Sequence, residues 1–254
     1  MNAVGSGRAA RLSAAAASPL GAPAPAYRAN RAEVLRYLGY AGQATDELLD
    51  GRIDALIAAC EREAAPGFLF ATFPAESTPA GVHLRGTSLV LEGADIAAHL
   101  RGARECAVMA CTLGLANEAG CARLKAKSPL DAMVYGSAGS ALVEVVADDC
   151  EAAVVADAAA RGMRTNWRYS PGYGDLPLTA RLQRGIVSVL SADRRLGMSV
   201  TDSGLLIPAK SVTAFVGLFD ADAPDIPGAK RACKGCACFS HCGLRRAGTP
   251  CWKR

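Results

Sequence analysis

A chain of 254 residues, 51% hydrophobic but only 6% aromatic, has the material for one sizeable core built from Ala, Val, Leu and Ile. Its formal net charge of +4 is uneven: residues 228–254 hold seven basic side chains (Lys230, Arg231, Lys234, Arg245, Arg246, Lys253, Arg254) and no acidic one, leaving a small acidic excess elsewhere. No uninterrupted apolar run reaches the roughly 18 residues of a membrane span, so no membrane partner is expected. The basic tail carries only two aromatic rings, Phe239 and Trp252, too few for a stacking surface, which argues on sequence grounds against nucleic acid as a partner.

Residues 1–26 are rich in Ala, Gly, Ser and Pro without periodicity, and read as a disordered leader rather than a signal peptide. Order is expected from Asn30, a helix N-cap with Glu33 at the reciprocal position of a capping box. A second helix over 45–63 would carry Leu48, Leu49, Ile53, Leu56, Ile57 and Cys60 on one face. The pattern then changes to strands at 68–73 and 82–91, with a short helix near 95–100. The continuous apolar run from Glu105 suits a central strand buried on both faces, ended by Gly114. Residues 130–160 read as one long helix in which Gly136 and Gly139 allow a neighbour to come close. An amphipathic stretch follows over 178–190, then a strand over 212–219. Pro224-Asp-Ile-Pro-Gly228 links this body, taken as residues 27–227, to the tail. Helices and strands interspersed without strict βαβ alternation point to an α+β fold with a mixed or antiparallel sheet and surrounding helices.

The ten cysteines form two groups. Cys60, Cys106, Cys111, Cys121 and Cys150 stand among apolar residues and read as buried small hydrophobes. Cys233, Cys236, Cys238, Cys242 and Cys251 crowd the tail. With no secretory signal the expected compartment is the cytoplasm, where clustered cysteines point to a metal more often than to disulfides. Cys233, Cys236, Cys238 and Cys242 could hold an iron–sulfur cluster or zinc. Their spacing is too compact for the usual zinc ribbon, and redox-active thiols or no special role are the other readings.

The densest chemical signal is Arg168-Tyr-Ser170-Pro171-Gly172-Tyr173-Gly-Asp175. Pro171 fixes φ, and Gly172 can take the positive φ that a type II turn needs. Arg168 offers a planar fork to a carboxylate, and Tyr173 offers a ring face to a cation or heterocycle. A Pro-Gly turn with a packed aromatic is also an ordinary loop. A zwitterion carrying an aromatic base, such as S-adenosylmethionine, would satisfy every group at once. His83, His99 and His241 are each expected to be structural. No phosphate-cradling glycine loop occurs, and no Asp-x-His-x-x-Gly sequence of the kind that ligates cobalamin.

Downstream come Met198-Ser-Val-Thr-Asp-Ser203 and Pro208-Ala-Lys-Ser211-Val212. In that order and spacing after Arg-x-x-Pro-Gly-Tyr, they resemble the activation (reactivation) domain of cobalamin-dependent methionine synthase, over about residues 135–218. The length resembles a stand-alone version of that domain. The resemblance implies a twisted antiparallel sheet with helices around it. It implies that Arg168, Ser170 (through its backbone), Pro171, Gly172 and Tyr173 contact S-adenosylmethionine. Arg168 would pair with the methionyl carboxylate and Glu144 would accept from the ammonium; otherwise Glu144 is an ordinary exposed helix carboxylate. Ser203, Pro208, Ser211 and Val212 would shape the sheet beside the site. After Tyr173 the synthases continue with Pro and a Cys-Pro pair, and a paired-Tyr strand closes their pocket; this chain has Gly174-Asp-Leu-Pro and no such strand.

The implied role is assistance to a methyltransferase, with no catalytic residue of the chain's own. The protein would present S-adenosylmethionine so that cob(II)alamin, carried by a separate cobalamin-dependent methionine synthase, is remethylated with an electron from a flavodoxin-like donor. The alternative is a Cys-cluster electron-transfer or accessory protein for another corrinoid methyltransferase.

Overall fold

The computed structural model describes residues 11–13, 27–40 and 42–227. The first ordered helix, α1 (Arg31–Tyr37), begins as expected, with the Asn30 side chain accepting from Ala32 N at 2.9 Å. Glu33 receives both Nε and Nη2 of Arg36. Helix α2 (Glu47–Glu63) is capped by Asp46 and buries Ile53, Ile57 and Cys60. Leu48, expected on that face, is 84% exposed, because it stands at the helix's second position on the side turned away from the core.

The centre is a seven-stranded antiparallel sheet. Its strands are β1 (Arg11–Ser13), β2 (Gly67–Thr78), β3 (Gly81–Leu84), β4 (Val90–Leu91), β5 (Glu105–Thr112), β6 (Met163–Thr165) and, after the separate hairpin β7–β8, β9 (Ser211–Asp220). The order is β4-β3-β2-β5-β9-β6, with β1 also paired to β2, so a short strand stands inside the stretch read as a disordered leader. The single strand expected over 82–91 is a hairpin of β3 and β4. Gly86 takes φ 81° there, and the Thr87 hydroxyl donates to Leu84 O and accepts from Leu89 N.

Every residue of β5 is buried, because helices cover both faces of the sheet. Ala107, Met109 and Cys111 point to one core with Phe68, Phe70, Ala214 and Val216. That core is closed by α1, α2 and α5 (Pro129–Ala160), with α4 (Gly114–Lys125) flanking. Cys106, Val108 and Ala110 point to the other, with Leu69, Ala71 and Phe215. That face is closed by α3 (Ala94–His99), α6 (Ala180–Leu190) and α7 (Ala192–Leu196). The hairpin of β7 (Ser199–Val200) and β8 (Leu206–Ile207) lies off the sheet.

Helix α5 is long and apolar enough to cross a membrane, yet 61% of its most apolar window is buried against the sheet and its helix neighbours. Its Ala and Val content serves close packing. A Cβ at Gly139 would come to 3.2 Å of Lys210 Cγ, so that glycine does admit a neighbour. Cys60, Cys106, Cys111 and Cys150 are buried and unpaired by disulfides, and Cys121 is half-buried. Burial pushes the Cys60 thiol up to about 11, although a hydrogen bond from Asn117 works in the opposite direction.

Candidate functional site: an arginine on a carboxylate stripe

Residues 144, 148 and 151 are spaced by four and three, so Glu144, Asp148 and Glu151 fall on one stripe of α5. Opposite them runs the segment after β6. Tyr169 pairs there with Phe215 of β9 through two backbone bonds of 2.8 and 2.9 Å. Alternation along this extended segment sends the Tyr169 ring into the α3/α6 core and the Arg168 side chain towards α5.

The Arg168 guanidinium meets the whole stripe. Nη1 donates to Asp148 Oδ1 (2.5 Å) and Glu151 Oε2 (2.6 Å), and Nη2 donates to Glu144 Oε2 (2.9 Å). The Arg168 backbone N–H adds a bond to Glu151 Oε1 at 3.0 Å. Burial alone would work against the charge, but Asp148, Glu151 and Glu144 outweigh it and hold the guanidinium above its ordinary range. The three acids differ in access: the Glu151 side chain is 17% exposed, Glu144 47% and Asp148 69%. Glu151 is a structural anchor for the arginine, while Glu144 and Asp148 face water.

The turn follows. Tyr173 N donates to Ser170 O at 3.1 Å across Pro171 and Gly172, and Gly172 takes φ 90°, the geometry of a type II turn. Ser170 and Pro171 are half-buried, and Gly172 and Tyr173 are exposed. The Tyr173 ring is 60% exposed and meets Tyr169 edge-on at 6.3 Å, while its carbonyl accepts from the Tyr169 hydroxyl. Asp175 closes the loop onto α3 by accepting from Ala94 N (2.5 Å) and Asp95 N (3.0 Å), so an acid from this loop caps that helix.

Beneath the turn, His99 Nε2 lies 2.9 Å from Trp167 O and its ring packs on Trp167 and Tyr169. His83 Nε2 lies 3.1 Å from Thr87 O. Each ring thus has a backbone carbonyl within hydrogen-bond distance.

The structure therefore brings Glu144 and Arg168 into direct contact and follows them with the Ser170–Tyr173 turn. Sequence reasoning missed Asp148 and Glu151. Their spacing from Glu144 was a readable signal, but nothing in one sequence says which segment crosses that stripe. Ser211 and Val212 open β9 beside the site, with Ser211 Oγ donating to Thr112 Oγ1 and Pro208 O. The cysteines proposed as metal ligands, Cys233, Cys236, Cys238 and Cys242, lie outside the described residues. Among the described residues no cluster of His, Cys, Asp and Glu could hold a metal ion.

No protein-family model matches the sequence, and no curated protein matches it. Among solved structures, the chain is similar to the crystal structure of the MetH reactivation domain bound to AdoHcy, with a TM-score of 0.57 and 14% sequence identity. The match covers 89% of this chain and 81% of that one. At that identity the likeness is one of fold: this is an α+β protein with the antiparallel sheet and surrounding helices of a methionine synthase reactivation domain.

Proposed function

We propose that this protein binds S-adenosylmethionine at Arg168, Glu144 and the Ser170–Tyr173 turn. It would present that molecule to cobalamin carried by a separate methionine synthase, with a flavodoxin-like protein as electron donor. The observation that carries the reading is the meeting of Arg168 and Glu144 directly before a type II turn bearing an exposed Tyr173. The similar solved structure holds AdoHcy in a protein of the same fold, which supports this class of ligand.

The residues suit the amino-acid end of such a molecule. Arg168 is a fork that already accommodates carboxylates, and its two water-facing partners, Glu144 and Asp148, can give way to a ligand carboxylate. A displaced Glu144 then accepts from the ligand ammonium, so charges are exchanged rather than stranded. Glu151 stays, fixing the arginine through both side chain and backbone. Gly172 has no Cβ to bar the ligand, and the Tyr173 ring presents a face to a cation or base. S-adenosylmethionine supplies an electrophilic methyl group on a positive sulfonium. The chain's own contribution is positioning, which makes an encounter of three bodies one of two.

Calorimetric titration of S-adenosylmethionine into the protein, with Arg168→Ala beside it, tests the reading. Binding that the substitution weakens more than tenfold, about 1.4 kcal/mol, supports it. An absence of binding to the unsubstituted chain removes it.

A further inference from the structure

The stripe carries more negative charge than its arginine balances. Three carboxylates meet one guanidinium, and the two water-facing ones alone already outnumber its charge. Two of those carboxylates are open to water, Asp148 at 69% and Glu144 at 47%, and the fold does not need a third acid to satisfy Arg168, whose Nη1 also has Glu151. A site that served only to hold a ligand carboxylate would be better without them, since each competes for the same fork.

Resting on the reading of the site as an S-adenosylmethionine site, we infer that Asp148, with Glu144, makes it discriminate by charge. It favours the sulfonium form over S-adenosylhomocysteine, the thioether left when the methyl is gone. The two molecules share their carboxylate, ammonium and adenosine and differ by one methyl and one positive charge. At neutral pH the first is a net cation and the second a neutral zwitterion. Loss of one positive charge a few ångströms from that excess of negative charge weakens binding by about tenfold at low salt, and less at high salt. The stripe thereby loads the methyl donor and releases the spent product. Competition between Asp148 and the ligand carboxylate acts on both molecules alike, so it cancels in the ratio of their affinities. That ratio isolates the charge effect.

The experiment is calorimetric titration of the full chain with each molecule, at low and high salt, for the unsubstituted protein and for Asp148→Asn. The expected result is a preference for S-adenosylmethionine of about tenfold at low salt, cut to about threefold by Asp148→Asn and compressed by salt. Glu144→Gln, which removes the charge on Nη2 instead of Nη1, repeats the test on an independent position. Equal affinities for the two molecules, or a preference that Asp148→Asn leaves unchanged, overturn the inference while leaving the site reading standing. Failure of both molecules to bind overturns the site reading and this inference with it.

Discussion

Two of the polar clusters on helix α5 are built on opposite principles. Near its start, Tyr135 is 1% exposed and donates to Glu63 Oε2 at 3.0 Å, and Asn117 Nδ2 donates to Cys60 Sγ and to the Tyr135 hydroxyl. Arg123 balances Glu63 at 2.8 Å. Each buried donor here has an acceptor and the one charge has one counter-charge, so the set joins α2, α4 and α5 without unpaired charge. In the middle of the helix, one arginine faces three acids, two of them wet. A structural cluster minimises what is left over, and the Arg168 cluster keeps a charge surplus at the surface. That excess is what supports the ligand site proposed at the second one.

The sharpest way to break this contrast is to remove the shared arginine. Arg168→Ala takes from Glu151, 17% exposed, the guanidinium bond to its Oε2. The expected cost is about 2 kcal/mol, less than for a fully buried pair because Glu144 and Asp148 are solvated. Ligand binding should fall more than tenfold in the same variant. Urea unfolding and calorimetry together check both effects. A loss of binding without any loss of stability would mean that the stripe is not what anchors the arginine.

The structural cluster should respond the other way. Tyr135→Phe deletes one hydroxyl that both donates to Glu63 and accepts from Asn117. It should cost about 1 kcal/mol, the net worth of a typical hydrogen bond, since Glu63 keeps Arg123 and Asn117 keeps Cys60, with ligand affinity unchanged. A shift in affinity would show that the two clusters communicate along α5.

Cys60 gives that cluster a pH signature. Its thiol is raised by burial from 9.0 to about 11, so the folded protein stays protonated where the unfolded chain has begun to ionise. The stabilising effect is complete below pH 9 and is lost as pH rises towards 11, because only the unfolded state releases the proton. Unfolding free energy measured across that window should decline. Cys60→Ala should make the decline shallower, whatever its effect on stability at neutral pH.

How much of this was legible in the sequence follows from how local each determinant is. The Asn30 cap, the doubly buried β5 and the type II turn at Pro171–Gly172 depend on a few neighbouring residues, and each appears where the sequence puts it. The β3–β4 hairpin was read as one strand because Arg85-Gly86-Thr87-Ser88 is short and its turn is held by the Thr87 side chain. Leu48 was assigned to the core because helical periodicity does not say where the covered face ends. Arg168 and Glu144 were visible as candidates, but Asp148 and Glu151 were not, nor was the contact that joins them. Which acids an arginine meets is decided by where β9 and β6 carry the chain across α5, a contact between residues 17 to 24 positions apart.

The smallest expected effect is the most discriminating for the comparison. Asp148→Asn removes a pair whose acid is 69% exposed, at an arginine nitrogen that Glu151 also holds. Exposed pairs of this kind contribute about 0–1 kcal/mol, and here relief of like-charge repulsion with Glu144 and Glu151 offsets part of that. Stability should therefore change by less than about 0.5 kcal/mol. A thermal or urea midpoint within error of the unsubstituted protein would place Asp148 outside the fold's requirements, leaving its charge to the ligand. A loss as large as that of Tyr135→Phe would instead make the stripe a structural cluster like its neighbour, with the charge surplus tolerated rather than used.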